Sequence, residues 1–520
     1  VNNDENYKTV TYGGAGLPYG QPFNPNFGGL NRDVTLHISD KLYQTLPLYR
    51  DLGTVGTYIY STNIDTLNRT ATVTIQTEVK NDYTSPQTVN CDAVVVDENG
   101  NMVLSQPLGR QTLAAGQKTT FSTNVDMTSV HFWSPDYPYL YQVYTILSTN
   151  GSPVDVYQTP VGLRKFTFSN IYGLMVNGHP IYLKGYAPRC SMEWPCVGTP
   201  VDWMNEYDFK LMKENNANFV RPMHIAPRKV QVEAADKFGI VMVCPAANNE
   251  GDEPDPDRWQ ERLDIMRDVT IYFRNNPSVL FYEGCNQILS AQHMTDMKNV
   301  RLTWDPNGGR LAGLRSNDGN VTQSIREYSA TMDGTGRQLY NPCWDSEYAR
   351  GEAPRRVWDN YTPMLNPRAT NLASKYITGG YFYIASDYHQ ALGLNSGNSD
   401  FIGDYLYVIN QANGGTDHAY FRLQNSEDMV LENLAKYYAR YAQSPFVQAS
   451  NVSASSGIMV GGAKIIWSDS VTDGRMHDTE VTRVSGAVDG ARLPKETYFG
   501  FQVAHNNSPQ VYVVGHWNYP

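Results

Sequence analysis

The sequence predicts a multidomain chain of β followed by α/β architecture: a β-sandwich, then a (β/α)8 barrel, with the remnant of a further β-domain in front. Three observations carry this. Residues 48–168 read as short strands with period-two alternation and turn signals between them. After Phe168, strand-like and helix-like apolar runs alternate over about 350 residues, the length of a barrel with insertions. At 520 residues and 41% hydrophobic, the chain has enough material for two or three packed cores.

Residues 1–47 are rich in Gly, Pro, Asn and Tyr, and Arg32-Asp-Val-Thr-Leu-His-Ile is the one convincing strand. A single strand cannot close a domain. The stretch is expected to be the C-terminal part of an N-terminal β-domain whose earlier strands lie outside this sequence. Residues 48–168 hold Ala71-Thr-Val-Thr-Ile-Gln-Thr-Glu-Val and Ala93-Val-Val-Val-Asp, with a hairpin turn at Asn99-Gly100. Strands at this spacing make a sandwich. Residues 169–520 then supply the barrel. Strands are expected at 181–185, 218–224, 240–244 and 279–285, and helices at 203–215, 228–238 and 259–274. The Gly- and Tyr-rich residues 378–417 read as a long loop, of the kind that builds a binding site at a barrel's top. A helix at 425–442 and the strand Gly461-Gly-Ala-Lys-Ile-Ile-Trp467 complete it.

Composition excludes several roles. No run approaches the roughly 18 apolar residues of a membrane helix, and Val1-Asn-Asn-Asp-Glu-Asn is too polar for a secretion signal. A net charge of −11 and a pI near 5.4 argue against a nucleic-acid or anionic-membrane partner, which would require clustered Lys and Arg. Cys91, Cys190, Cys196, Cys244, Cys285 and Cys343 form no disulfide framework and no CxxC pair; only Cys190 and Cys196 lie close enough in sequence to suggest a bridge. No metal site is expected, because Asp252, Glu253, Asp255 and Asp257 lack the ligand spacing and central Gly of a calcium loop. No cofactor is called for, and the oligomeric state stays open.

The stretch with most chemistry in it is Pro277-Ser-Val-Leu-Phe-Tyr-Glu-Gly-Cys-Asn-Gln287, an apolar strand running into Asn286-Gln287. Together with Trp133-Ser-Pro-Asp-Tyr-Pro-Tyr-Leu140, Val161-Gly-Leu-Arg-Lys-Phe166, Val176-Asn-Gly-His-Pro-Ile-Tyr-Leu-Lys-Gly185 and Asn218-Phe-Val-Arg-Pro-Met-His224, in this order, it makes nearly the whole chain resemble glycoside hydrolase family 2. That group contains β-galactosidases, β-glucuronidases and β-mannosidases. The resemblance implies a jelly roll, an immunoglobulin-like sandwich and a barrel in sequence. It also implies a secreted or periplasmic bacterial exo-β-glycosidase, β-galactosidase first, that takes terminal sugars from oligosaccharides of a complex polysaccharide.

The family's retaining mechanism uses two glutamates, one protonating the leaving oxygen and one attacking the anomeric carbon. Glu347, in Pro342-Cys-Trp-Asp-Ser-Glu347-Tyr, matches the nucleophile and stands 60 residues past Gln287. A surface ion-pair carboxylate is the competing reading. The acid/base position holds Gln287, whose amide can hydrogen-bond a glycosidic oxygen but cannot protonate it. Two origins remain open: an introduced Glu→Gln change that traps a substrate complex, or a subgroup whose acid is lost or relocated. Loss without relocation would leave a sugar-binding protein on an enzyme fold. Among relocated acids, Glu283 lies about 13 Å too deep, at about 3.3 Å per residue along the strand; Glu250, Glu193 and Asp469 sit nearer the rim.

The resemblance further implies that Arg221 supports the nucleophile and His224 approaches sugar hydroxyls, against the plainer reading of a structural Arg and a core His. It makes Trp467 the floor under the sugar; Asn286 beside Gln287, Glu250 on the rim after the third strand and Trp194 in a top-face loop are expected around the substrate. Trp194 and Trp203 are among the aromatic residues of the expected top-face loops, most of which will serve ordinary packing. The family's Gly-x-Asn-x-His after the first strand is replaced here by Gly185-Tyr-Ala187-Pro-Arg189, which leaves the identity of the sugar open.

Overall fold

The computed structural model describes residues 34–169, 173–188, 192, 194, 200–223, 226–246, 252–285, 289–314, 328–332, 343–347, 382–385, 458–459, 461–464, 467–468, 487–494 and 496–506. The sandwich forms as the alternation requires. In one sheet, Thr70–Asn81 pairs with Thr57–Asp65 and Leu42–Gln44 on one side and Lys118–Met127 on the other; the second runs Met102–Leu113, Gln87–Val96, Tyr141–Thr149, Ser152–Val161. All of these contacts are antiparallel, so inward positions recur every second residue, and Val73, Ile75, Val79, Val89, Cys91 and Val143 fill the core between the sheets. The turn at Asn99-Gly100 closes the Gln87–Val96 hairpin, with Gly100 at φ +82°.

Two expectations about the N-terminal region change. Leu42–Gln44 pairs with residues 79–81, so the sandwich begins before residue 48. Residues 34–39 form no strand, and Val34, Leu36 and Ile38 are 77%, 81% and 86% exposed. A strand is defined by the neighbour that takes its hydrogen bonds, and among the described residues this stretch has none.

A small antiparallel sheet of Phe166–Ser169, Gly173–Val176 and His179–Pro180 leads into the barrel. There the strands Leu183–Tyr186, Phe219–Val220, Val241–Pro245, Val279–Glu283, Leu311–Leu314, Tyr328–Met332, Cys343–Glu347 and Phe382–Ala385 pair in parallel, each with the next. Ile458–Met459 pairs with Phe382–Ala385, and Gly461–Lys464 pairs with Leu183–Tyr186, so one run of chain closes the ring. Counting that run once, the ring holds nine described strand segments. One of them, Phe382–Ala385, falls in the stretch expected to be loop; its Tyr-Phe-Tyr-Ile run has strand propensity that the surrounding glycines masked.

Helices Asp202–Glu214, Lys229–Phe238, Pro256–Phe273 and Ala291–Trp304 run between successive strands. Their starts follow local chemistry. Asp255 accepts N–H bonds from Asp257 and Arg258 ahead of Pro256, and the Ser290 hydroxyl accepts from the His293 N–H. Gly185 is needed where the first two barrel strands meet: a Cβ there would stand 1.7 Å from the Phe219 carbonyl oxygen.

The sandwich is bolted to the barrel's lower end. Buried Trp133 donates its indole N–H to the Asp236 carbonyl at 2.8 Å. Arg164 donates to the carbonyls of Pro277 at 2.7 Å and Val279 at 3.0 Å, at the start of the fourth barrel strand. Asp305 accepts from Tyr58 of the sandwich at 2.8 Å and from Tyr282 and Arg310 of the barrel at 3.2 and 3.0 Å. Burial draws the Arg164 guanidinium down to about 9 and pushes the Asp236 carboxyl up to about 6. Two of the sequence's most recognisable stretches, around Trp133 and Arg164, therefore serve domain contact.

Candidate active site

In a parallel barrel all strands end on one face, and the loops leaving that face carry the chemistry. Glu347 is the last residue of Cys343–Glu347 and stands in register with Met332 of the neighbouring strand. Its backbone is thus at the carboxyl end of the barrel. Arg221 directly follows Phe219–Val220, and Glu283 ends Val279–Glu283.

Arg221 and Glu283 meet in a two-pronged ion pair: Nε donates to Oε2 and Nη2 to Oε1, both at 2.9 Å. Both residues are buried, Arg221 at 0% and Glu283 at 1% exposure. The planar guanidinium matches a carboxylate in this geometry, and the fork locks both side chains. Glu283, too deep by its strand position to serve as a relocated acid, is a satisfied carboxylate at the end of the fourth strand. The described partner of Arg221 is this Glu283.

Above it, two loops are tied together. Asp252, after the third strand, accepts from the Ser290 N–H at 3.0 Å and contacts His293 Nδ1 at 2.6 Å, both after the fourth strand. The His293 ring stacks on Trp259 at 3.8 Å. Burial alone would raise the Asp252 carboxyl; the bonds from His293 and Ser290 outweigh it and hold the group below the usual carboxylate range. Beside it, Arg262 donates to Glu253 at 3.1 Å, both buried.

On the other side, a buried cluster joins the last barrel strand to the first helix. Asp208, within Asp202–Glu214, accepts from Trp467 Nε1 at 2.7 Å and from Arg492 Nε and Nη2 at 2.6 and 2.9 Å. Burial pushes the Asp208 carboxyl up, against the pull of Arg492 and the indole N–H of Trp467. Arg492 also donates to the Met192 carbonyl at 2.6 Å and lies 4.6 Å from the centre of the Trp194 ring. Among the described residues the Trp194 indole N–H makes no hydrogen bond of ordinary geometry, yet its dipole helps hold the charge on Asp208.

Of the residues proposed from sequence, Arg221, Trp194 and Trp467 are described in full. Trp467 is 0% exposed, edge-on to Tyr186 at 4.8 Å and near Tyr498; stacking on a sugar would require an uncovered face. Trp194 is half-buried on the first βα loop. Glu347 is described in its backbone. Gln287, Asn286, His224, Glu250, Glu193 and Asp469 lie outside the described residues, as do Cys190 and Cys196. Cys91, Cys244 and Cys285 are buried. Among the described residues no three His, Cys, Asp or Glu side chains are grouped to hold a metal ion, and no helix is long and apolar enough to cross a membrane.

Sequence reasoning missed Asp208 and Arg492. Asp208 had a signal: Asn205, Asp208, Phe209 and Met212 share the buried stripe of their helix, so a carboxylate there demands a partner. Nothing near Arg492 marks it.

The fold and these strand ends define a β-sandwich joined to a TIM-barrel, with its chemistry on the carboxyl face of the barrel. The family model described as "Glycosyl hydrolases family 2" matches residues 56–164, and that of the "Glycosyl hydrolases family 2, TIM barrel domain" matches residues 170–341. The chain belongs to glycoside hydrolase family 2. It is 31% identical over 500 residues to a β-glucuronidase of Formosa agariphila, covering 96% of this chain and 45% of that protein. It is 21% identical over 545 residues to the β-galactosidase BoGH2A of Bacteroides ovatus, covering 96% and 60%. The solved structure of a family-2 β-glucuronidase superposes with a TM-score of 0.72 at 29% identity, covering 96% of this chain and 46% of that one. A Bacteroides uniformis β-glucuronidase, at 18% identity and a TM-score of 0.64, shares the fold. The chain spans about half the length of the curated relatives it matches.

Proposed function

We propose that this chain is the sandwich and barrel portion of a retaining exo-β-glycosidase that removes a terminal sugar from an oligosaccharide, with a β-glucuronide as its first substrate. The observation that carries this reading is the placement of Glu347 at the carboxyl end of a strand in a family-2 barrel. The 31% identity to a β-glucuronidase along 96% of the chain supports the choice of sugar. That choice replaces the galactoside expected from sequence, which the 21% identity to a β-galactosidase keeps as the second substrate.

In this reading the Glu347 carboxylate attacks the anomeric carbon, the bond to the leaving oxygen breaks, and a glycosyl ester forms. Water then cleaves the ester and restores the carboxylate. The departing oxygen needs a proton in the first half, and water must lose one in the second. A carboxyl group at position 287 would do both; Gln287 does neither. Loss of such a group removes about 10²–10⁴ in rate. Arg221 and Glu283 keep the ends of the second and fourth strands in place beneath the reacting centre.

The presence of Gln287 favours one second reading, a sugar-binding protein that does not cleave. The deciding experiment is hydrolysis of aryl β-glucuronide, β-galactoside and β-mannoside by this chain and by Gln287→Glu, with azide added to rescue a missing acid/base. A gain of about a hundredfold in Gln287→Glu is expected. Equal activity of the two forms would move the acid elsewhere, Glu250 first; sugar binding with no cleavage by either form would establish the second reading.

A further inference from the structure

Helix Asp202–Glu214 follows the first barrel strand and returns antiparallel to it, so its opening turns lie level with the carboxyl face. Trp203 and Tyr207 are four residues apart, on one side of that helix, and are 61% and 37% exposed. Trp194, on the loop before them, stands 6.0 Å from Trp203 and 6.2 Å from Tyr207 between ring centres. Val201, 50% exposed, continues the surface. The rings therefore form one contiguous aromatic patch on the rim of the barrel.

The patch is braced from below. The Arg492 guanidinium lies under the Trp194 ring at 4.6 Å and is held by both oxygens of Asp208, whose first oxygen also takes the Trp467 N–H. Trp194 is thus fixed by a buried ion pair, and Trp203 and Tyr207 ride on the same helix as Asp208. Rings held in this way lose little freedom when a ligand lies on them. A core would have buried them, whereas here a braced cluster is left facing solvent.

We infer that Trp203, Tyr207 and Trp194 form an outer sugar-binding platform, which takes the residues of an oligosaccharide beyond the terminal sugar being cleaved. The exposed amphipathic rings of Trp203 and Tyr207 suit the apolar C–H faces and hydroxyl rims of pyranoses, and Trp194, whose N–H is buried, adds apolar ring surface. The platform rests on the glycosidase reading for its placement next to a cleavage site, but binding to it requires no cleavage.

The test uses Trp203→Ala, Tyr207→Ala and the double variant, each checked for a parental thermal midpoint. Binding is measured by calorimetry on the full chain with two probes, a hyaluronan tetrasaccharide ending in β-glucuronate and a β-1,4-galactotetraose. Stacking of this kind predicts roughly threefold to tenfold weaker binding of at least one tetrasaccharide in each single variant, and more in the double. In the Gln287→Glu background, the loss in kcat/KM for the tetrasaccharide should exceed that for the aryl glycoside by at least threefold. Tetrasaccharide binding that is unchanged in the double variant, or absent in every form, overturns the platform. A shift of the double variant to a smaller assembly on size-exclusion chromatography also overturns it, because the rings would then cover a second copy. Failure to cleave any aryl glycoside refutes the glycosidase reading alone, since calorimetry still reads the platform.

Discussion

Removing both ends of the Arg221–Glu283 pair should cost less than the two single losses added together. The two N–H···O bonds are 2.9 Å long and both residues are within 1% of complete burial. Charge-assisted bonds contribute about 1.5–3 kcal/mol each, so the fork totals about 3–6 kcal/mol. Removing one partner from a buried pair costs about 3–5 kcal/mol, because the charge left behind stays desolvated. Glu283→Ala and Arg221→Met are each expected to lose that much in urea unfolding followed by tryptophan fluorescence. The double variant Arg221→Met with Glu283→Leu should lose less than the sum by about 2 kcal/mol or more. The exposed Lys210–Glu214 pair, 3.8 Å long, is the control, and Glu214→Ala should move the midpoint within error. Single losses below about 1 kcal/mol, or strict additivity, would refute the view that this fork braces the barrel beneath the reacting centre.

Three further expectations test the scaffold. Asp236 has its carboxyl raised by burial to about 6, above its unfolded value of about 3.9, so the native state binds the extra proton and stability falls as pH rises from about 4 to about 6. Asp236→Asn should remove that slope, gaining on the parent by about 3 kcal/mol between pH 4 and 7 in paired urea titrations; a constant difference would disprove it. Trp133→Phe keeps the ring but strands the Asp236 carbonyl, and should cost about 1–3 kcal/mol by the same assay, with no change pointing to replacement by water. Gly185→Ala drives a Cβ to 1.7 Å from the Phe219 carbonyl oxygen and should lower the thermal midpoint by several degrees or abolish soluble expression; a parental midpoint would mean that the first two strands can separate without loss.

Much of the architecture was legible in the chain because its cause is local. Period-two alternation in Thr70–Asn81 and Gln87–Val96 is the direct imprint of a sheet with one face inward, and the 3.6-residue stripe of Asp202–Glu214 that of a helix on a core. Strands at 183–186, 241–245 and 279–283 fall within a residue or two of their expected places for the same reason. Glu347 was singled out by the resemblance to glycoside hydrolase family 2 and ends the barrel strand Cys343–Glu347, while Gln287 lies outside the described residues.

What only the tertiary structure decided depends on contacts between distant parts of the chain. Residues 34–38 alternate like a strand yet form none, since pairing needs a neighbour that alternation cannot supply. Leu42–Gln44 joined the sandwich because Thr70–Asn81 offered it an edge. Arg221 met Glu283 across 62 residues, and Asp208 met Arg492 across 284; burial makes such partners obligatory, but no local pattern names them. Trp467 looked from its place after the last strand like a floor for sugar, and the fold enclosed it against Asp208 and Tyr186. The exposure of Trp203 beside a clamped Trp194 is of the same kind: periodicity marks a side of a helix, while the packing of the whole chain decides which rings remain open to a ligand.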